Sequence, residues 1–168
     1  PGDEVVVPTP AFGLYETIVR AAHGRVATLD TSRSGFQIRE RDLRGVVGLR
    51  TRAIVITSPN NPTGCVLDSE SLDAVADVAA ERGLVVVCDD VYNRLCYEEG
   101  YERFALRRPE LRDQTVVVDS FSKPWAMTGW RLGWLAAAPA LKSQIQKMHQ
   151  YLVSSVPSFL QEAAVAAL

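Results

Sequence analysis

A chain of 168 residues and 18.4 kDa, 47% hydrophobic and 23% charged, has the size and composition of one soluble globular domain. A formal charge of −2 and a pI near 5.7 give no electrostatic reason for nucleic acid or an anionic membrane as partner. In the most basic stretch Arg39, Arg41, Arg44, Arg50 and Arg52 are interleaved with Glu40 and Asp42, the pattern of a solvated helix face, and no apolar stretch has the length of a membrane span.

Short β-branched runs alternate with helix-period segments, the pattern of an α/β layered domain with a mainly parallel sheet. A first strand is expected over 4–7, then a helix over 12–22 with Leu14, Ile18, Val19 and Ala22 on one face and Gly24 beyond its end. A second strand follows over 25–29, and a short helix over 39–47 that Gly45 and Gly48 weaken. Residues 53–57 read as a strand, ended by the breaker-rich Ser58-Pro59-Asn60-Asn61-Pro62-Thr63-Gly64. Asp68 suits the N-cap of a helix over 69–82 whose stripe is Leu72, Val75, Ala76 and Ala79, with Gly83 as its stop. The unbroken apolar run 84–88 reads as a strand buried on both faces, and 115–119 repeats it. A short turn of helix is allowed over 91–95. A further strand is expected over 131–137, then helices over 139–150 and from Pro157 onward, with Pro139 in a first turn.

Cys65, Cys88 and Cys96 follow no CxxC or Cys/His spacing. They are read as reduced thiols of a cytoplasmic protein with no metal site, Cys88 packing as a small hydrophobe. The chain has no initiator Met, opens inside a turn at Pro1-Gly2-Asp3 and closes in an alanine-rich helical pattern without a stop signal. Both ends therefore read as cuts within a longer protein.

The polar residues that need explaining fall at expected strand ends: Asn61, Asp89, Tyr92, Ser120 and Lys123. Ligands of open α/β sheets sit at the carboxyl ends of the strands, so the pattern locates a site there. Lys123, flanked by Ser120 and Ser122 and followed eight residues later by Arg131, suits an aldehyde bearing a phosphate. The amine would form an imine, and the hydroxyls and guanidinium would take the phosphate oxygens. By itself a lysine in a serine-rich loop reads more readily as solvated. Asp89, at the end of a buried run with Tyr92 three residues on, can hold a pyridine nitrogen protonated, while Tyr92 and Asn61 can bond a phenolic oxygen. Taken singly, Asp89 reads as a helix cap and Asn61 as an ordinary Asn-Pro turn.

The stretches 58–64, Asp89-Asp90-Val91-Tyr92, Ser120-Phe121-Ser122-Lys123 and Gly129-Trp130-Arg131-Leu132-Gly133 occur in one order. That order and spacing resemble the class I/II aminotransferases, fold-type I pyridoxal-phosphate-dependent enzymes, and 1–5 and 8–15 look like the segment before that family's ring-stacking aromatic. The likeness runs over essentially the whole chain. It implies a three-layer α/β/α large domain with a mostly parallel sheet, spanning 1–168 but lacking an upstream phosphate-binding segment and a downstream small domain. It further implies pyridoxal 5'-phosphate as cofactor, Lys123 as Schiff-base lysine and proton shuttle, and Asp89 as partner of the pyridine nitrogen. Tyr92 and Asn61 would meet the phenolic oxygen, Ser120, Ser122 and Arg131 the phosphate, and Phe12 the ring face. Phe12 reads alternatively as a core residue opening its helix. The implied activity is transfer of an amino group between an amino acid and a 2-oxo acid by a homodimer. Carbon–sulfur lyases, aminocyclopropane-carboxylate synthases and the aminotransferase-like sensor domains of DNA-binding regulators share these residues and remain alternatives.

Overall fold

The computed structural model describes residues 2–97 and 99–168; Pro1, in the expected opening turn, lies outside them. Six strands form one sheet in the order β2-β1-β3-β4-β5-β6. They are β1 (Glu4–Thr9), β2 (Arg25–Asp30), β3 (Thr51–Thr57), β4 (Val85–Asp89), β5 (Thr115–Ser120) and β6 (Gly133–Ala137). The pairings from β2 through to β5 are parallel, whereas β6 runs antiparallel to β5 with Ser120 opposite Gly133. The helices are α1 (Leu14–Ala21), α2 (Glu40–Val46), α3 (Ser69–Arg82), α4 (Phe104–Arg107), α5 (Pro139–Val153) and α6 (Ser158–Ala167).

Alternation along the central strands separates the two faces of the sheet. Val6, Ile54, Ile56, Val86 and Cys88 point into the main core, where they meet Leu43 of α2, Leu72, Val75 and Ala79 of α3, and Phe104 of α4. Val55 and Thr57 of β3 and Asp89 of β4 have the opposite parity and lie on the face toward α1. Helices on both faces of a mostly parallel sheet give the three layers expected from the pattern. Cys88 is 1% exposed, and burial raises its thiol pKa above the ordinary range.

The α3 segment forms over the expected span. Asp68 accepts from the Ser71 backbone N–H at 2.8 Å, and Gly83 closes the helix in the left-handed region at φ 64°. Arg39, read as part of a solvated face, instead reaches Asp68 at 2.9 Å with its side chain 31% exposed, tying the start of α2 to the cap of α3. Arg41 is exposed, and Arg44, Arg50 and Arg52 lie in surface pairs, Arg44 with Glu40 and Glu81, Arg50 with Glu4 and Arg52 with Asp3.

Three local expectations are corrected. The first helix begins at Leu14, and Leu14 and Ile18 are about half exposed. The neighbouring i, i+4 stripe, Tyr15 and Val19, is the one turned inward, because Tyr15 bonds the strand ends. The last strand begins at Gly133, because Arg131 adopts the left-handed conformation (φ 53°) and closes a 3₁₀ turn over Thr128–Trp130. The short α4 helix was not anticipated; its Phe104 is 2% exposed, and Arg107 and Arg108 pair with Asp73 on α3.

Candidate active site

Asp89 ends β4, and its strand parity sends the carboxylate to the α1 side. There the Tyr15 hydroxyl donates to Asp89 Oδ2 at 2.5 Å, and the Thr57 hydroxyl lies 2.9 Å from the Tyr15 oxygen. Tyr15 has a single hydroxyl hydrogen; with that hydrogen on Asp89, Thr57 is the donor of the second contact. The Val91 backbone N–H donates to Asp89 Oδ1 at 3.2 Å. Both carboxylate oxygens are thus held by neutral donors, from α1 and from the turn after β4, with Thr57 of β3 behind the phenol. Burial and then the Asp89 charge push the Tyr15 hydroxyl well above the ordinary tyrosine range, so it remains a protonated donor.

Asp90 takes the other direction, as alternation requires. It is 5% exposed on the α4 side, and among the described residues its Oδ2 has no hydrogen-bond partner. Burial raises its pKa to about 6; Arg103 opposes the shift, and Asp119 and Asp89 add to it. The adjacent acids are therefore distinct: a half-buried carboxylate held by donors at Asp89, and a buried carboxyl with an unpartnered oxygen at Asp90.

Beyond β4 the chain turns through Tyr92 into a 3₁₀ turn over Asn93–Leu95. The Lys123 ammonium lies 5.7 Å from the centroid of the Tyr92 ring. Lys123 is exposed and, among the described residues, takes part in no salt bridge. It follows the end of β5 in a loop anchored by Phe121, which is 3% exposed and stacks on Trp125 at 4.9 Å between centroids. The Ser122 backbone N–H donates to Ser120 Oγ at 3.0 Å, and Ser120 Oγ donates to the Leu132 carbonyl at 3.2 Å. Ser120 thereby joins the lysine loop to the segment carrying Arg131. A Cβ on Gly133 would stand 2.8 Å from the Asp119 carbonyl, so glycine is needed where β6 approaches the end of β5. Arg131 is exposed; its guanidinium bonds the Thr128 carbonyl at 2.9 Å and, among the described residues, has no carboxylate partner.

Asn61 is half-buried in the loop after β3. Its neighbour Asn60 shapes that loop, with Nδ2 bonding the Pro10 carbonyl at 3.0 Å and Thr63 Oγ1 at 2.9 Å. Phe12 precedes α1 and is 47% exposed, edge-on to Tyr15 at 6.1 Å. It is not packed in the core, which removes the alternative reading of this residue. Tyr15 and Thr57 are site residues that the sequence pattern does not single out. The available signal is a tyrosine three residues beyond Phe12 at a helix start, but its partner Asp89 lies 74 residues away.

Polar groups gather at the carboxyl ends of β3, β4 and β5, the edge at which open α/β sheets bind their ligands. The chain belongs to the class I and II aminotransferases, the family described as "Aminotransferase class I and II", which it matches over residues 1–168. It is 39% identical to the putative aminotransferase YugH of Bacillus subtilis, over 100% of this chain and 44% of that protein. It is 36% identical to an aspartate aminotransferase of Musicola paradisiaca, over 100% of this chain and 42% of that one. A solved aromatic aminotransferase from Pyrococcus horikoshii superposes with a TM-score of 0.93 at 36% identity, covering 99% of this chain and 45% of that one. The fold is thus the fold-type I α/β fold of aminotransferases, and the family is pyridoxal-phosphate-dependent. The chain spans less than half the length of the curated relatives it matches.

Proposed function

We propose that the protein is a pyridoxal-phosphate-dependent aminotransferase that moves an amino group between an amino acid and a 2-oxo acid, and that this chain is its cofactor-binding large-domain segment. The observation that carries the reading is the placing of an anchored carboxylate and a lysine at the carboxyl ends of neighbouring strands. Asp89 is held by Tyr15 at the end of β4, and Lys123, in the loop after β5, lies over the ring of Tyr92 from the turn after β4.

The residues present fit the cofactor. A phosphate dianion needs cationic and hydroxyl partners, and Arg131, Ser120 and Ser122 supply them with no carboxylate on Arg131 among the described residues. A protonated pyridine nitrogen needs a carboxylate fixed in direction, and the donors on both Asp89 oxygens hold it at the end of β4. When bound, pyridoxal phosphate supplies an electron sink for charge developing on the substrate carbon.

Each residue then has a stated task. Asp89 holds a proton on the ring nitrogen. Tyr92 and Asn61 hydrogen-bond the ring's phenolic oxygen, and Phe12, free of the core, covers the ring face. Ser120, Ser122 and Arg131 fix the phosphate and with it the orientation of the ring. Lys123 is the residue that would hold the cofactor covalently, and its amine would serve as base and then acid for the proton at the substrate Cα. The homodimer and the cytoplasmic location belong to this proposal through the family resemblance.

The test is an assay of the purified protein with pyridoxal phosphate, a panel of amino acids and either 2-oxoglutarate or pyruvate. The reading expects appearance of the new amino acid in step with loss of the donor. Release of free ammonia and a thiol without a 2-oxo acid acceptor would replace it with a lyase.

A further inference from the structure

Between the Asp89–Tyr92 turn and the Ser120–Lys123 loop lies a buried polar group that the reaction described above does not use. Asn93, 7% exposed, donates from Nδ2 to Asp119 Oδ2 at 2.8 Å and also to the Asp90 carbonyl. Its Oδ1 accepts from Arg103. Asp119, 5% exposed, uses its other oxygen to accept the Ser120 backbone N–H at 2.6 Å. One amide therefore fastens the residue after Tyr92 to the residue before Ser120. It also relays the Arg103 charge toward a buried carboxylate that has no direct ion pair among the described residues. A second link crosses the same gap nearby, with the Arg94 guanidinium 4.5 Å from the Trp125 ring centroid.

The chemistry at position 93 is narrow. The site needs a donor toward Asp119 and an acceptor toward Arg103 at once, and a carboxamide supplies both without charge. An aspartate would set a carboxylate against Asp119. An apolar residue would leave Asp119 and Arg103 with unmet hydrogen bonds.

We propose that Asn93 is a positioning residue, the strut that sets the spacing between Tyr92 and Lys123 through Asp119. The inference rests on the roles given to those two residues above. A misplacement of about 1 Å at a reacting group costs up to about 100-fold in rate, so the strut acts on turnover rather than on stability alone.

The test compares Asn93→Ala, Asp119→Asn and the reversed pair Asn93→Asp with Asp119→Asn in the purified, cofactor-loaded protein. In the reversed pair the carboxamide introduced at position 119 still accepts from the Ser120 backbone through its oxygen. Its nitrogen donates to the carboxylate introduced at position 93, and Arg103 meets that carboxylate directly. Three quantities are read: kcat and KM, the pH midpoint of the visible absorption change of bound pyridoxal phosphate, and the thermal midpoint. Each single variant is expected to lower kcat about tenfold or more and to move the absorption midpoint by about half a pH unit. The reversed pair is expected to recover part of both, short of wild type because the Asp90 carbonyl loses its donor from position 93. Should Asn93→Ala not fold, the near-isosteric Asp119→Asn decides. Singles with wild-type kcat and absorption midpoint, or a folded reversed pair no better than the singles, would overturn the strut. Wild-type protein that takes up no pyridoxal phosphate would overturn the functional reading itself, a result separate from either of these.

Discussion

Tyr15 and Asp89, 74 residues apart, are joined by a 2.5 Å hydrogen bond in which the phenol donates to the carboxylate. The bond links α1 to the end of β4 across β3, where Thr57 donates to the same phenol. It fixes the direction of the carboxylate. Hydrogen bonds to charged groups are worth about 1.5–3 kcal/mol. Tyr15→Phe is expected to lower kcat about tenfold and to weaken cofactor binding, with little change in KM for the amino donor. Steady-state kinetics and a cofactor titration check it; unchanged values for both would remove Tyr15 from the site.

The two adjacent acids are expected to separate cleanly. Asp89→Ala removes the charge proposed to face the ring nitrogen and should cost roughly 10²–10³ in kcat, while some cofactor binding persists. Asp90→Asn, on the other side of the sheet, should keep kcat within a few-fold. Normal turnover by Asp89→Ala beside an inactive Asp90 variant would show that the roles are reversed.

Asp90 also predicts a pH effect on stability. Its pKa is raised from 3.8 to about 6, mainly by burial, so the folded state binds more protons than the unfolded state between those values. Stability conferred by the neutral form is present below about pH 4, falls as pH rises toward 6, and is absent above. Asp90→Asn removes this penalty. It should flatten the pH dependence over that window and gain on the order of 2 kcal/mol near pH 7, measured by denaturant unfolding at several pH values.

Asp68 works in the opposite sense. Arg39, with Ser71 also contributing, lowers its pKa to about 2. Its contribution is therefore present above about pH 4 and is lost as pH falls toward 2. Asp68→Ala should cost about 1 kcal/mol at neutral pH through the lost α3 cap, with the difference from wild type narrowing in acid. Chemical denaturation at about pH 7 and about pH 3 measures both halves of that statement.

Where local chemistry decides structure, the sequence was enough. Asp68 and Gly83 bracket α3 because a cap acceptor and a left-handed residue are local requirements, and the apolar run at 84–88 forms most of β4, in which only Val86 and Cys88 are fully buried and the face toward α1 is half-buried. The strand-end positions of Asp89, Ser120 and Lys123 were readable for the same reason. Direction and long-range partnership were not. Nothing in the pattern of 133–137 distinguishes an antiparallel strand from a parallel one, since side chains alternate in both. On α1 two apolar-compatible stripes compete, and the choice of Tyr15 over Leu14 depends on a carboxylate on another strand. The four residues of α4 are too few to show a helical period; Phe104 burial and the pairs from Arg107 and Arg108 to Asp73 hold them.

Lys123 is proposed to be the residue that bonds pyridoxal phosphate. The direct measurement is borohydride reduction of the cofactor-loaded protein, followed by proteolysis and mass mapping of the pyridoxyl group. The label is expected on Lys123, in the loop that Ser120 and Phe121 anchor, and is expected to be absent from the Lys123→Ala variant. A label on Lys142 or Lys147, both on the exposed helix α5, would contradict it.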